Sequence, residues 1–362
     1  MTPLLFMLCS GVFHFTLANR LRIFRLCEEC NWEDALNRCN ERNESIITLY
    51  DEKDVNFTES FIKNMSTQNV WTGLHIGRNN VSAWSDGAPL TFNMSHANVA
   101  NGEQICEAIV NNTWEGFNCS DRKPFMCQKD NSYFLIKNEA KNWCQAHQHC
   151  RRYYGDLVSI RNETQNQQVI KKGNGATFWI GLMHDEWKWM DNSCSTYRRW
   201  EIRDKDEKCT MLSTIAMLPS MQTQACDNVQ QPLFSKGSVR IIVIQKKLNW
   251  EQAFDYCKAE HTRLLQIEDA EDQKAIEQWL KYSNPNVNEK IWIGLRQSRV
   301  FGFWIWSDKT VSYSHWRNNT MPKMPLSNHC GVINRNSYRW SDENCLLQLS
   351  FICEEDIIYM KN

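Results

Sequence analysis

The chain has 362 residues, with 41 Lys and Arg against 42 Asp and Glu, which gives a formal net charge of −1. At roughly 100–150 residues per domain, this length predicts two or three domains. The charge is balanced and no basic stripe or block of like charge stands out. Nucleic acid and anionic membrane surfaces are therefore excluded as expected partners.

Residues 1–18 form an apolar run that ends in Thr16-Leu17-Ala18. Thr16 and Ala18 provide small side chains at the two positions that a signal peptidase recognises. This pattern predicts a secretory signal peptide, although no Lys or Arg stands at its start. No later stretch has the length and hydrophobicity of a membrane span. The sequence therefore predicts a secreted, extracellular product without a membrane span, ending in a charged tail over 355–362.

Cysteines and glycosylation sequons agree with export. The chain has 16 Cys, of which Cys9 leaves with the signal peptide, and in an exported protein such usage predicts a disulfide framework. Asn-X-Ser/Thr sequons predict surface N-glycans. Glycosylation is expected at Asn43, Asn56, Asn64, Asn80, Asn93, Asn111, Asn162 and Asn318. The ninth sequon, at Asn118, directly precedes a cysteine and is not assigned.

One helical motif occurs three times, about 110 residues apart. It reads Asn-Trp-x-x-Ala-x-x-x-Cys and begins at Asn31, Asn142 and Asn249. The spacing of three and then four residues places Trp, Ala and Cys on one face of a helix. The Asn that precedes each Trp is a favoured N-cap residue. The motif therefore predicts three equivalent amphipathic helices that pack against a core.

Two further markers follow each helix in the same order. Trp-x-Gly-Leu begins at Trp71, Trp179 and Trp292 and predicts a strand, within which Gly permits a close backbone approach. A later group of cysteines follows: Cys106, Cys119 and Cys127, then Cys209 and Cys226, then Cys330, Cys345 and Cys353. Each repeat therefore reads as a strand, two helices and a strand-rich second half. Most tryptophans fall on these markers and are interpreted as core, whereas Trp189, Trp200 and Trp316 lie near predicted loops.

Together the markers resemble three tandem C-type lectin-like domains, as in the mannose-receptor and secretory phospholipase receptor group and in multi-domain fish lectins. The resemblance implies an α+β fold, in which two helices flank small antiparallel sheets and a long loop carries the ligand site. The expected division is a signal peptide over 1–18, domains over 19–129, 130–236 and 237–354, and a tail over 355–362.

The resemblance also implies a disulfide scheme. It pairs the helix cysteine with the last cysteine of the same domain and closes an inner bond between the two cysteines before it. The implied bonds are Cys39–Cys127, Cys106–Cys119, Cys209–Cys226, Cys257–Cys353 and Cys330–Cys345. Each outer bond would contribute about 4 kcal/mol through chain entropy.

The second repeat departs from this scheme. Ser235 stands where Cys150 would find its partner, so the second domain is expected to lack its outer bond and to be the least stable. Five cysteines then have no assigned partner: Cys27, Cys30, Cys144, Cys150 and Cys194. An odd count in the mature chain leaves at least one thiol free or between chains. A disulfide-linked homodimer through Cys144 or Cys194 is the hypothesis.

Sugar-binding members of the family hold calcium with a Glu-Pro-Asn or Gln-Pro-Asp triplet and a Trp-Asn-Asp motif. The third repeat comes nearest, with Asp342, Glu343 and Asn344 before Cys345. Upstream of it stand only Met321-Pro322-Lys323 and Met324-Pro325-Leu326, which offer calcium no carboxylate. These three residues are weak metal candidates, and calcium is not an expected cofactor.

Catalysis is not expected either. Cys27 and Cys30 form a Cys-x-x-Cys, but Glu28 and Glu29 lie between them and would raise the thiol pKa. A local turn disulfide, or pairing elsewhere, is the preferred interpretation. His147 and His149 are interpreted as the exposed side of a helix. No nucleophilic or metal-binding grouping is found.

The sequence thus predicts a secreted lectin-like recognition protein without catalysis. It would bind a protein or glycoconjugate ligand through its long-loop faces, without a standard calcium-dependent sugar site. Two alternatives remain: a calcium-dependent lectin acting through the third domain, and a soluble decoy or inhibitor of a secreted enzyme.

Overall fold

A computed structural model describes residues 20–77, 81–97, 103–204, 206–283, 289–298, 303–307, 309–322 and 329–361. The expected signal peptide over 1–18 and the sequon Asn80 lie outside the described residues.

Four consecutive segments supply the secondary structure. Residues 20–77 form β1 Ile23–Leu26, α1 Trp32–Arg42, β2 Ser45–Ile46, α2 Glu52–Asn64 and β3 Asn69–Ile76. Residues 81–185 form β4 Ser82–Trp84, β5 Ile105–Val110, β6 Thr113–Asn118, β7 Lys123–Lys129, β8 Ser132–Lys141, α3 Trp143–Tyr153, β9 Asp156–Leu157, α4 Glu163–Gly173 and β10 Phe178–His184.

The remaining chain also contains both helices and strands. Residues 186–236 form β11 Trp187–Trp189, β12 Trp200–Ile202, β13 Cys209–Ser213, β14 Ser220–Gln224 and β15 Gln231–Lys236. Residues 237–356 form β16 Val239–Leu248, α5 Trp250–Glu260, β17 Arg263–Leu264, α6 Ala270–Tyr282, β18 Lys290–Gln297, β19 Trp304–Trp306, a 3₁₀ turn Arg317–Asn319, β20 His329–Asn334, β21 Trp340–Asn344 and β22 Leu349–Asp356.

The repeated helices form as the motif predicts. Helices α1, α3 and α5 each begin directly after the motif Asn, whose side chain accepts a hydrogen bond from the backbone N–H three residues later. The Trp, Ala and Cys of each motif are buried. The strand marker also forms, in β3, β10 and β18, and a Cβ on Gly73 would lie 2.6 Å from the Ile46 carbonyl oxygen. Gly is therefore required there by backbone proximity.

The strands do not assemble in sequence order. The first sheet pairs strands of segment 20–77 with strands of segment 186–236, for example β1 with β15 and β3 with β13. The second sheet pairs strands of segment 81–129 with those of segment 132–184, for example β5 with β10 and β7 with β8. The first two repeats have therefore exchanged their second halves.

This exchange gives three modules with different connectivity. The outer module consists of residues 20–77 and 186–236. The inserted module, residues 81–185, is continuous but permuted, because its strand-rich half precedes its helical half. The third module, residues 237–356, keeps the expected order. The division of the sequence into domains over 19–129, 130–236 and 237–354 stays a prediction. In this structure the strands of the first two intervals are shared between an outer and an inserted module, and the last strand of the third module ends at Asp356.

A short connection explains why β7 and β8 pair with each other. Only Asp130 and Asn131 separate them, and Lys129 lies opposite Ser132. Asp130 has a φ of 52°, in the left-handed region that Asp tolerates better than most residues. Antiparallel strands joined by two residues form a hairpin. The end of the first repeat is therefore held in one sheet with the start of the second.

Among the described residues the structure has six disulfides. Four of them are bonds that the resemblance implied: Cys106–Cys119, Cys209–Cys226, Cys257–Cys353 and Cys330–Cys345. The implied Cys39–Cys127 bond is wrong in this structure, because Cys127 bonds to Cys150 and Cys39 is a free thiol. The exchange is the reason, since it brings β7 beside α3 instead of α1.

The register of the strands shows which residue occupies the position of the missing cysteine, and it corrects the earlier assignment of Ser235. The parallel pairs Trp179–Phe125, Trp292–Phe351 and Trp71–Pro232 are equivalent in the three modules. Two residues further along each last strand stand Cys127, Cys353 and Phe234. Phe234, not Ser235, therefore occupies the cysteine position, and it packs in the same buried cluster as Cys39. The module without an outer bond is the outer module.

The hypothesis of an intermolecular bond through Cys144 or Cys194 is also wrong in this structure. The two cysteines bond to each other and connect α3 of the inserted module to a loop of the outer module. The C-terminal tail packs beside this bond: Cys194 N–H donates to the Ile358 carbonyl at 2.7 Å, and Met360 N–H donates to the Asn192 carbonyl at 2.7 Å.

The outer and third modules pack through equivalent elements. Leu21 forms a parallel bridge with Val239, and Phe57 of α2 stacks on Trp279 of α6 with ring centroids 4.4 Å apart. Ion pairs are exchanged in both directions. Arg20 reaches Asp272 at 2.8 Å, and Arg240 reaches Asp51 at 2.7 Å. The contact has the reciprocity of a two-fold interface within one chain.

Peptide mapping under non-reducing conditions tests the exchanged assembly. We expect a Cys127–Cys150 cross-linked peptide and an unpaired Cys39, because the exchange places β7 beside α3. As a matched variant, Cys127→Ser should release the Cys150 thiol and leave Cys39 unchanged. Recovery of a Cys39–Cys127 peptide would instead show that the two repeats fold in sequence order.

Removing Arg240 should destabilise the contact between modules. Its guanidinium is almost fully buried and pairs with Asp51, Asp54 and Glu355. Arg240→Met leaves Asp51 without its ion-pair partner and removes one of the basic partners of Asp54 and Glu355, which keep Arg22 and His261. We expect a loss of about 3–5 kcal/mol in urea unfolding. Arg199→Met, which removes an exposed pair with Glu52, should cost no more than about 1 kcal/mol. Equal losses of stability in the two variants would contradict a stabilising role of the buried Arg240 ion pairs.

The ion pairs of Arg240 also make the stability of the folded protein depend on pH. Burial would raise the pKa of Asp51 and Glu355, but the charge of Arg240 acts together with hydrogen bonds to each carboxylate, and the pKa of both is lowered. Their contribution to stability is therefore present above pH about 4 and is lost as the pH falls through the lowered values. Arg240→Met should flatten this part of the stability–pH curve.

Candidate binding site

The weak calcium candidates lie on one strand and are not brought together. Along β21, Asp342 and Glu343 alternate, so their side chains point to opposite faces of the sheet. The Asp342 carboxylate lies 2.6 Å from His329 Nδ1, and Glu343 pairs with Lys290. The Asn344 side chain accepts a hydrogen bond from Leu346 N–H at 3.0 Å. Of the upstream triplets, which span 321–326, residues 323–326 lie outside the described residues.

Metal-ligating side chains do not cluster elsewhere among the described residues either. Within the part of the chain that the structure describes, no group of three or more His, Cys, Asp or Glu side chains is arranged to hold a metal ion. In the same part of the chain, no helix is long and apolar enough to cross a membrane.

The expected glycosylation sites share one property. Every sequon asparagine that the structure describes is exposed: Asn43, Asn56, Asn64, Asn93, Asn111, Asn162 and Asn318. Exposure is what N-glycan attachment requires, and use of these sites stays a prediction.

His147 does not lie on an exposed helix face, so that interpretation is wrong. It is fully buried, and its Nε2 is 3.1 Å from Asp156 Oδ1. Burial would raise the pKa of Asp156, but the adjacent His147 ring, the Ser85 hydroxyl and the Leu157 N–H together outweigh it and lower the pKa. His149 is half-buried and packs edge-on against Phe125. Both histidines are structural parts of the inserted module.

The long loops of the outer and inserted modules meet around one cavity of about 520 Å³. Its walls come from β4 and the following loop, from β11 and the loop after it, and from the C-terminal tail. Trp187 and Trp189 are among the lining residues. The exchange creates this site, because β10 leads directly from the inserted module into β11 of the outer module.

A buried ion pair forms part of the wall. Arg198 Nη2 lies 2.7 Å from the Asp185 carboxylate, and only 9% and 5% of the two side chains are exposed. Gln104 Nε2 donates to the same carboxylate at 3.1 Å, and Trp187 N–H donates to its other oxygen at 2.9 Å. The Arg198 guanidinium also lies 5.4 Å from the centre of the Trp189 ring. These contacts fix the polar groups in place.

A larger groove of about 790 Å³ runs between β1 and α6, but its polar groups already have partners. Gln278 exchanges two hydrogen bonds with the backbone of Phe24, at 2.8 and 2.7 Å, and Lys274 pairs with Glu271. The smaller cavity is more enclosed than this groove and is therefore the better candidate for a ligand site.

Known families account for this arrangement of motifs. Residues 28–129, 139–232 and 246–355 match the Lectin C-type domain family. The chain belongs to the C-type lectin domain family. It is 30% identical over 168 residues to the secretory phospholipase A2 receptor of Mus musculus, covering 45% of this chain and 10% of that protein. It is 22% identical over 275 residues to lymphocyte antigen 75 of Homo sapiens, covering 65% and 16%.

Other relatives show the same tandem layout. C-type mannose receptor 2 of Mus musculus is 19% identical over 414 residues, covering 90% of this chain and 28% of that protein. The chain thus spans less than a third of the length of each of these three relatives. Among solved structures, human lithostathine has 21% identity and a TM-score of 0.30, covering 33% of this chain and 92% of that one.

Three thiols of the described chain stay unpaired, which corrects the preferred disulfide interpretation of the Cys-x-x-Cys. Cys30 and Cys39 are buried, whereas Cys27 is half-buried and its Sγ accepts a hydrogen bond from Arg25 Nη1 at 2.7 Å. Burial raises the pKa of Cys27 although Arg25 opposes it, and burial raises the pKa of Cys39 to about 12. Low-pKa redox chemistry is not favoured in such surroundings.

Alkylation of the folded protein tests these thiol environments. Iodoacetamide should label Cys27 first, and its rate should rise as the pH increases from 7 to about 9, because the thiolate fraction grows towards the raised pKa. Cys30 and Cys39 should react only after denaturation. Rapid labelling of Cys39 in the folded state, or a pH-independent rate at Cys27, would contradict the buried cluster.

Proposed function

We propose that the protein is a secreted, non-enzymatic recognition protein. It binds a protein or glycoconjugate ligand through its long-loop faces, without the calcium–sugar pair that sugar-binding family members use. The observation that carries the proposal is the meeting of two long-loop regions around one cavity with a fixed Arg–Asp pair and two indoles. Concave sites with apolar walls and a few oriented polar groups are typical of ligand binding.

The chemistry of the third module supports the calcium-independent form. Hard calcium requires several oxygen ligands that converge on one point. Asp342 and Glu343 diverge across a strand, and each already contacts a side chain of its own, His329 or Lys290. Six disulfides and exposed sequon asparagines support an extracellular location.

Calorimetric titration of the full chain with calcium tests the metal independence. We expect no saturable binding up to about 1 mM calcium, because the candidate oxygens do not converge. Saturable binding that Asp342→Asn abolishes and the exposed control Asp255→Asn retains would favour the alternative, a calcium-dependent lectin acting through the third module.

Similarity to a protein named secretory phospholipase A2 receptor favours one further test. The soluble decoy hypothesis predicts that the chain captures a purified secretory phospholipase A2 and lowers its activity. Capture without inhibition would keep the recognition function and exclude the inhibitor.

A further inference from the structure

One expected glycosylation site lies at the rim of the groove between the outer and third modules. Asn64 is exposed and ends α2, and its sequon continues through Met65 to Ser66. Its amide nitrogen, the atom to which an N-glycan is attached, donates a hydrogen bond to the Tyr282 hydroxyl of α6 at 3.3 Å. Among the described residues, no other sequon side chain forms a hydrogen bond with another module. The attachment atom therefore faces the third module.

Aromatic and apolar side chains line both sides of this groove. Phe61 and Met65 of α2 lie on one side, and Tyr282 and Tyr338 of the third module lie on the other. Met65 is 47% exposed, although the other apolar side chains of α2 are buried. Apolar surface that water contacts in this way is stabilised when another group covers it.

The groove is suited to a tethered sugar rather than to a free one. It is open to water, and polar groups such as Gln278 and Lys274 already have partners. A free saccharide needs hydrogen bonds within its site to offset the loss of translational and rotational freedom. A sugar attached to Asn64 is already held beside the groove at a high effective concentration. Packing of its C–H groups on the apolar walls is then sufficient, with the hydroxyls left in water.

The size of the groove agrees with the base of an N-glycan. Its volume is about 790 Å³, which lies within the range of about 300–1,000 Å³ for small-ligand sites. An N-glycan begins with a pair of N-acetylglucosamine residues, and this disaccharide has the size of such a ligand. The rest of the glycan would then extend into solvent from the open side of the groove.

We propose that Asn64 carries an N-glycan whose first sugar residues lie in this groove and stabilise the contact between the outer and third modules. In glycan transfer, the Asn64 amide nitrogen loses one hydrogen and bonds to the anomeric carbon of N-acetylglucosamine. The pyrophosphate of the lipid-linked donor leaves with the electron pair of the broken C–O bond, and the amide proton passes to solvent. The nitrogen keeps its second hydrogen, which donates to Tyr282. This role goes beyond the proposed recognition function and does not depend on the ligand of the long-loop cavity.

Two sequon variants of the full chain, expressed in a glycosylating host, test this role. Mass spectrometry of intact glycopeptides should find Asn64 occupied. Asn64→Gln removes the glycan at the groove, and we expect a melting temperature about 2–4 °C lower. The control Asn56→Gln removes an exposed sequon of the same helix that does not line the groove. It should leave the melting temperature within about 1 °C of the wild-type value.

A third variant separates the glycan from the asparagine side chain. Ser66→Ala keeps Asn64 and its hydrogen bond to Tyr282 but abolishes the sequon, so it should lower the melting temperature as Asn64→Gln does. Enzymatic trimming after folding avoids any effect on folding or export. The folded wild type, trimmed to one N-acetylglucosamine per site, should remain more stable than the equally trimmed Asn64→Gln variant.

Cys27 provides a direct readout of what lies in the groove. It lines the groove and its thiol is free and half-buried. A bulky maleimide should react with Cys27 about threefold faster in Asn64→Gln and in Ser66→Ala than in the wild type, because the thiol is no longer covered. Asn56→Gln should react at the wild-type rate.

Four results would overturn the inference. The first is an unoccupied Asn64, and the second is an equal melting temperature of Asn64→Gln and Asn56→Gln. The third is an unchanged Cys27 rate in the variants that lack the Asn64 glycan. The fourth is a loss of stability in Asn64→Gln but not in Ser66→Ala, since the stabilising group would then be the asparagine side chain.

Discussion

The two-residue hairpin at Asp130 and Asn131 is the constraint on which the whole assembly depends. It keeps the last strand of the first repeat beside the first strand of the second, so the two must share a sheet. From this contact follow the exchanged halves, the Cys127–Cys150 bond and the free Cys39. The next junction behaves differently. Gly237, with a φ of 114°, turns the chain between β15 and β16, which join separate sheets.

Much of the local structure could be predicted from the sequence. The motif helices with their Asn caps and the Trp-x-Gly-Leu strands follow from short-range patterns, in which neighbouring residues determine the outcome. The inner disulfides were expected from the family resemblance. The partner of each half could not be predicted, because the helical halves carry the same repeated markers and these do not specify a strand-rich partner. The deciding information lies in the conformation of a short connection. A cysteine count cannot supply it, since either assembly leaves one helix cysteine without a partner.

The residues of the binding cavity could not be predicted from the sequence either. Gln104, Asp185 and Arg198 are far apart in sequence or lie in unremarkable loops, and only the exchange brings them together. Trp189 was the one visible signal, since it lies near a loop rather than on a repeated marker. The acidic residues that sequence reasoning did single out, Asp342 and Glu343, lie on opposite faces of β21. Successive side chains of a strand point to opposite faces of the sheet, so the strand conformation of β21 separates the two carboxylates.

Insertion of one module inside another also determines how the molecule responds to mechanical tension. Both ends of the inserted module, near residues 81 and 185, are anchored in the outer module, where β3 and β11 pair directly. A force applied at the chain termini is carried by the outer and third modules and bypasses the inserted one until β3 and β11 separate. The Cys144–Cys194 bond ties the two modules together even after such rupture. After that rupture the disulfide keeps only residues 145–193 out of the load path, because the force runs through the preceding part of the inserted module to Cys144.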